Sequence, residues 1–206
     1  FAPARFSLGL HYYHFNQPIL PPIISNLSCN RSEGIPKKIL VYLPFEEPGD
    51  VRQLIKSFNE FRFFVYTAID KPSHENHISF LPFSRGGFVE DLKSCSGVIC
   101  NAGFTLTSEA LHLGKKLLVR PLAGQIEQAS NALALQQLNL GKVMLTLDEK
   151  IVGNWLTSPS SLPINYPEVA PDVVKWIGEG KWDNTRELVN RVWSKVDEKL
   201  FRITSF

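Results

Sequence analysis

From residue 38 to residue 145 the sequence alternates short apolar runs with helix-length amphipathic stretches, and few folds accommodate that alternation. Lys38-Ile39-Leu40-Val41-Tyr42-Leu43 is a run with no polar face, as a strand buried on both sides requires. Asp50 is placed to cap a helix that carries Val51, Leu54, Ile55 and Phe58 along one stripe. Phe63–Tyr66 and Ile78–Leu81 read as the second and third strands, and a short helix is expected from about Phe88 with Val89 and Leu92 inward. Gly97-Val98-Ile99-Cys100 is a fourth strand, followed by a helix from about Thr105 to Leu113 that stops at Gly114. Leu117–Val119 is a fifth strand, Gln125–Leu138 a helix ended by Gly141, and Val143–Leu145 a sixth strand. Strand-helix alternation of this kind implies an α/β domain whose parallel sheet carries helices on both faces.

The flanks read differently. Residues 1–36 hold Pro3, Pro18, Pro21, Pro22 and Pro36 and little periodicity, so they are expected to be the end of an upstream domain plus a linker. The triplets Asn26-Leu27-Ser28 and Asn30-Arg31-Ser32 match glycosylation sequons, which matter only in a secreted protein. The chain opens Phe1-Ala2-Pro3 with no basic leader and no signal-peptide pattern, and the expectation is a piece of a longer enzyme. Residues 37–180 form the main domain on this reading. Residues 181–206 add a helix, Asn184–Leu200, with Val189, Val192, Trp193, Val196 and Leu200 on one stripe and Tyr166, Pro167 and Pro171 interrupting the chain ahead of it.

Composition narrows the function. Twenty-two Lys and Arg against 20 Asp and Glu give a net charge of +2, which argues against a dedicated nucleic-acid binder. No apolar run approaches the roughly 20 residues that a membrane helix needs. Three cysteines without CxxC spacing exclude a disulfide framework and a cysteine-based zinc site, and point to a reducing compartment.

Open α/β sheets bind ligands beyond the carboxyl ends of their strands, so the turns there carry the chemistry. After the fourth strand come Asn101-Ala102-Gly103-Phe104-Thr105-Leu106-Thr107-Ser108-Glu109. Gly103 lets a ligand approach the backbone, and Thr105 and Thr107 bring hydroxyls near a helix start whose unpaired N–H groups favour phosphate. Glu109, one turn further, can accept hydrogen bonds from a sugar diol. After the fifth strand come Arg120-Pro121-Leu122-Ala123-Gly124-Gln125, then Glu127, Gln128 and Asn131 in the first turns of a helix. Glutamine and asparagine amides both donate and accept, which suits a hydroxyl-rich ligand. Each turn alone is also consistent with an ordinary capped or exposed helix start.

Together the two turns resemble the donor-binding half of GT-B glycosyltransferases over roughly residues 38–145, in the group of the peptidoglycan N-acetylglucosaminyltransferase and the UDP-glucuronosyltransferases. The matching positions are Gly103, Glu109, Pro121, Gln128 and Asn131-Ala132, with Phe80-Leu81-Pro82-Phe83-Ser84 similar to a base-contacting loop and Phe88–Leu92 to the helix after it. The resemblance implies a Rossmann-like sheet forming the C-terminal half of a GT-B fold, and transfer of a sugar from a nucleotide-sugar, UDP-linked by expectation. It places the base against Leu81, Phe83 and Ser84, the diphosphate along Asn101 and Gly103 to Thr107, with Phe104 and Thr105 between, and the ribose on Glu109. Gly124, Glu127, Gln128 and Asn131 are expected near the donated sugar. No metal or other cofactor is implied, because a helix start can meet the diphosphate charge. The general base would come from an N-terminal domain, so this chain by itself is expected to be inactive. The implied partners are the nucleotide-sugar and that N-terminal domain. The implied location is cytoplasmic, with peripheral contact at the inner membrane face if the acceptor is lipid-linked. The alternatives are a separate donor-binding subunit of a split enzyme, a sugar-nucleotide epimerase of GT-B architecture, and a non-catalytic sensor of sugar nucleotides. Two departures stand out: Leu43-Pro44-Phe45-Glu46-Glu47 is acidic where relatives carry a glycine-rich loop, and Asn101 stands where many carry His or Arg.

Other constellations read as structural. His11-x-x-His14 and His74-x-x-His77 lack further ligands for a metal, Cys95 and Cys100 suit buried thiols, and the four tryptophans, 155, 176, 182 and 193, suit packing. Arg85-Gly86-Gly87 reads as a turn.

Overall fold

The structure, a computed structural model, describes residues 5–25, 34–159, 161–180 and 182–201. Both sequon-like triplets lie outside the described residues. Nine strands are present among them: β1 (Gly9–Leu10), β2 (Ile19–Leu20), β3 (Lys38–Tyr42), β4 (Arg62–Thr67), β5 (Ser73–Glu75), β6 (Ile78–Pro82), β7 (Gly97–Cys100), β8 (Lys116–Val119) and β9 (Lys142–Val143). The helices are α1 (Pro48–Ile55), α2 (Arg85–Ser94), α3 (Phe104–His112), α4 (Ile126–Gln137), α5 (Glu149–Leu156), α6 (Ala170–Glu179) and α7 (Thr185–Trp193), with a short 3-10 turn at Glu198–Leu200.

Seven strands form one sheet in the order β5-β6-β4-β3-β7-β8-β9. Every pairing is parallel except β5 with β6. The chain runs outward from β3 through β4 to β6, returns to β7 on the other side of β3, and runs outward again. The reversal lies between β3 and β7, where Tyr42 pairs with Cys100.

The apolar runs explain the layering. Along β3, Leu40 faces one core while Ile39 and Val41 face the other. Val98 and Cys100 oppose Ile99 in the same way, and Leu117 and Val119 oppose Leu118. Helices α1 and α5 cover the face that holds Ile39 and Val41, through Val51, Leu54, Ile55, Val152 and Trp155. The opposite face takes Leu92, Ala110, Leu111, Leu135, Trp176 and the stripe Leu188, Val189, Val192 and Trp193.

Several elements differ from expectation. The second helix begins at Arg85 rather than near Phe88, because Ser84 adopts an extended conformation and its hydroxyl accepts from the Gly87 amide at 3.4 Å. Arg85-Gly86-Gly87 is therefore a first helical turn. Pro171 does not interrupt the tail but opens α6, where a proline loses no helical hydrogen bond. The last helix stops at Trp193 instead of continuing to Leu200. Residues 5–25 pack into the second core: Tyr12 and Leu20 are fully buried, the Tyr166 hydroxyl donates to the Tyr12 carbonyl at 3.2 Å, and the Trp193 indole donates to the Ile19 carbonyl at 2.7 Å. Trp155, Trp176 and Trp193 are core residues, in line with the packing role read for them, while Trp182 is half-exposed with its ring against Phe6.

Candidate ligand cleft at the sheet reversal

Open α/β sheets bind ligands beyond the strand ends where the strand order reverses, and the turn after β7 leads into α3 at that point. Gly103 is the N-cap of α3 with extended backbone, and no side chain caps that helix start among the described residues. A Cβ at Gly103 would meet nothing within 4 Å, so the space in front of the helix start is open. The first peptide N–H groups of α3 thus lack a side-chain cap, the condition under which a helix start accepts an anion. Thr105 is exposed at that start.

Thr107 behaves otherwise than its sequence position suggests. It is fully buried, and its hydroxyl donates to the Gly103 carbonyl at 2.8 Å. The Tyr12 hydroxyl then donates to Thr107 Oγ1 at 2.6 Å, and burial raises the Tyr12 phenol pKa far above its usual range, keeping the donor protonated. The Tyr12 ring also lies 5.1 Å from that of Phe104. The Thr107 hydroxyl thus braces the helix start from behind and is spent on internal hydrogen bonds. Glu109 is half-buried one turn in, and Ser25 donates to its Oε1 at 2.6 Å.

The second turn is likewise held from inside. Gly124 takes a left-handed φ of 78° that bends the chain into α4. The buried Gln128 accepts from the Leu122 amide at 3.0 Å and donates to Gln125 Oε1 at 2.9 Å. Asn131, also buried, donates to the Ala102 carbonyl at 2.9 Å and so ties α4 to the turn after β7. Gln128, expected to face the sugar, and Asn131, expected among the donor-binding residues, both sit on the inner side of α4 with their amides bonded to backbone and to Gln125. Glu127 is exposed on the outer side. The adjoining hollow, about 420 Å³, is lined by Arg120 through Ile126 with Ala129 and Leu145.

The acidic turn after β3 also resolves. Glu46 Oε1 meets Arg120 Nη1 at 2.6 Å, with both side chains largely covered, so its charge is compensated and the turns after β3 and β8 are linked across the reversal. Asn101 donates to the Arg120 carbonyl at 2.9 Å, while its buried Oδ1 has no partner among the described residues. Leu81 is half-buried, Phe83 is exposed with its ring 6.0 Å from that of Tyr42, and Ser84 is the α2 cap. Strands β4 and β3 lie between this loop and β7, a separation of about 14 Å at ordinary interstrand spacing.

The remaining chemical candidates sit elsewhere. Cys95 and Cys100 are buried, and burial pushes their thiols up to about 11 and about 12. Neither is poised as a thiolate nucleophile. Both are expected to resist iodoacetamide in the folded protein and to alkylate in denaturant, which peptide mass spectrometry checks. His11 packs against Tyr12 and Phe15, and His74 bonds Ser79. No cluster of three metal-ligating side chains occurs among the described residues. None of their helices is long and apolar enough to cross a membrane. No local pattern signals the Ser25–Glu109, Tyr12–Thr107 and Glu46–Arg120 contacts, whose partners lie 74 to 95 residues apart.

A mostly parallel sheet with helices on both faces and its order reversed between β3 and β7 defines a Rossmann-like α/β fold. Residues 13–159 match the model of glycosyl transferase family 1, and the chain belongs to that family. A search of curated proteins finds no match. Three solved structures share the fold. The spinosyn forosaminyltransferase SpnP matches with a TM-score of 0.54 and 14% identity, over 83% of this chain and 55% of its own. The glycosyltransferase VinC, solved with dTDP, matches with a TM-score of 0.51 and 12% identity, over 93% of this chain and 50% of its own. Phytolacca americana UGT2, solved with UDP-2-fluoro-glucose and pterostilbene, matches with a TM-score of 0.51 and 18% identity, over 88% of this chain and 44% of its own. The chain thus spans about half the length of these GT-B glycosyltransferases.

Proposed function

We propose that this chain is the C-terminal, donor-binding half of an inverting glycosyltransferase that takes its sugar from a nucleoside diphosphate. The observation that carries the reading is the uncapped start of α3 at the sheet reversal, open in front of Gly103, with the Glu109 carboxylate one turn behind it. The diphosphate lies at the α3 start, where peptide N–H groups and the helix dipole meet its charge. The pentose lies on Glu109, and the base reaches toward Leu81, Phe83 and the Ser84 turn. Glu127 accepts from the donated sugar. The nucleotide complexes among the structural neighbours support a nucleotide-linked donor.

In the transfer, an acceptor hydroxyl attacks the anomeric carbon, and the bond from that carbon to the diphosphate oxygen breaks. The hydroxyl proton passes to a base on the acceptor-binding half. This chain contributes to the barrier through the α3 peptide groups, which are already oriented toward the charge that develops on the leaving diphosphate.

Calorimetric titration with nucleoside diphosphates tests the reading. Wild-type protein is expected to bind at submillimolar concentration, and Glu109→Ala to bind at least about tenfold more weakly, the loss of a charge-assisted hydrogen bond. Absence of binding by the wild type up to several millimolar would overturn it.

A further inference from the structure

Glu109 is the carboxylate on which the proposed site depends, and one of its two oxygens already holds a hydrogen bond from the chain itself. Ser25 Oγ donates to Glu109 Oε1 at 2.6 Å, a short, charge-assisted contact. Ser25 does not reach it from a loose tail. Tyr12, thirteen positions earlier, is fully buried and bonded to Thr107 in the same helix start. Ile19 is tied through its carbonyl to the Trp193 indole, Leu20 is fully buried, and Pro21 and Pro22 are buried as well. Segment 5–25 thus delivers the hydroxyl from a fixed anchor.

A ribose presents a cis-diol, two donors side by side, and a carboxylate grips such a pair best when each oxygen accepts one hydroxyl. With Oε1 engaged by Ser25, one hydroxyl of a ribose has to share that oxygen with the serine, and a less well matched polar group at a binding surface weakens the complex. A 2′-deoxyribose presents a single 3′-hydroxyl, which Oε2 alone can accept.

Resting on the reading of Glu109 as the pentose ligand, we propose that Ser25 sets the pentose preference of the site and tunes it to 2′-deoxynucleoside diphosphates over their ribose counterparts. Ser25 acts through Glu109 and is a positioning residue. A carboxylate oxygen can accept more than one hydrogen bond, so the preference is graded.

UDP and dUDP differ only in the 2′-hydroxyl and are the probes. In calorimetric titrations the wild type is expected to bind dUDP at least as tightly as UDP. Ser25→Ala is expected to shift the dUDP-to-UDP affinity ratio toward UDP by about fivefold, the scale of one modest hydrogen bond. Ser25→Thr, which keeps the hydroxyl, is expected to keep the wild-type ratio. Because the ratio is measured within each variant, a uniform loss of stability cancels from it. An unchanged ratio in Ser25→Ala while both nucleotides bind overturns the role of Ser25 and leaves the donor-site reading standing, as does a wild type that prefers UDP tenfold. Failure of the wild type to bind either nucleotide overturns both.

Discussion

Replacing Tyr12 by alanine is expected to lower folding stability by about 3–5 kcal/mol, the range for emptying a buried aromatic site. Tyr12 is fully buried against Phe104 and belongs to the same core as Leu20 and Trp193. Truncation would open a cavity at the α3 start and remove the donor to Thr107. The backbone carbonyl of residue 12 still accepts from Tyr166, so the anchor is weakened rather than erased. Tyr12→Phe keeps the ring and removes only the hydroxyl, and about 1 kcal/mol is expected from the lost hydrogen bond. Urea unfolding midpoints of the two variants check the pair. A loss below about 1 kcal/mol in Tyr12→Ala, under the low end for such cores, would show that segment 5–25 is not part of the cooperative fold.

Gly97→Val is expected to cost about 3 kcal/mol through overpacking. Gly97 sits in β7, between Ile39 of β3 and Lys116 of β8. A Cβ there would lie 2.9 Å from Trp155 Cη2 and 3.4 Å from Ile39 Cδ1. The indole has little freedom to retreat. The Lys116 ammonium lies 5.3 Å from the ring centroid and is fixed by the carbonyls of Trp155, Leu156 and Ser158 at 2.9 to 3.1 Å. Shortening the neighbour in a Gly97→Val, Trp155→Leu double variant is expected to recover part of the loss, a coupling that a double-mutant cycle measures. Additive losses would show that the strain lies in the strand backbone instead.

The central sheet was legible because burial on both faces leaves strands with no polar side, a mark that β7 and β8 carry throughout, β3 in all but Tyr42, and β4 and β6 in part. Elements with weaker marks were missed. β5 is Ser-His-Glu, with no buried residue, and is held by pairing antiparallel with β6 and by the Arg52–Glu75 ion pair. α5 contains Gly153 in its interior, which lowers intrinsic helix preference. It forms because Asp148 caps it and because the glycine lets Phe58 approach, with a hypothetical Cβ only 3.2 Å from that ring. Pro171 was ambiguous between a break and a first turn, a choice set by what α6 packs on: Asp172 bonds Arg191 and Lys195 around α7, and the Lys195 hydrogen bond holds its carboxyl below the usual range.

The cleft was legible in outline and opaque in detail for the same reason. Turn position follows from strand position, so Gly103, Glu109, Gly124 and Glu127 could be placed from the run lengths alone. Whether a polar side chain faces out or in depends on contacts distant in sequence. Thr107, Gln128 and Asn131 look alike in composition to ligand-facing residues, and only their hydrogen bonds with Tyr12, Leu122 and Ala102 turn them inward.

The closure of Ile19 and Tyr12 onto Trp193 and Tyr166 has a bearing on how the protein is made. A ribosome releases the early residues first, so Tyr12, Leu20 and the neighbouring prolines emerge well before the tail that covers them. Until position 193 has cleared the exit tunnel, this apolar strip stays wet, and the nascent chain carries an unburied patch for as long as the intervening residues are being made.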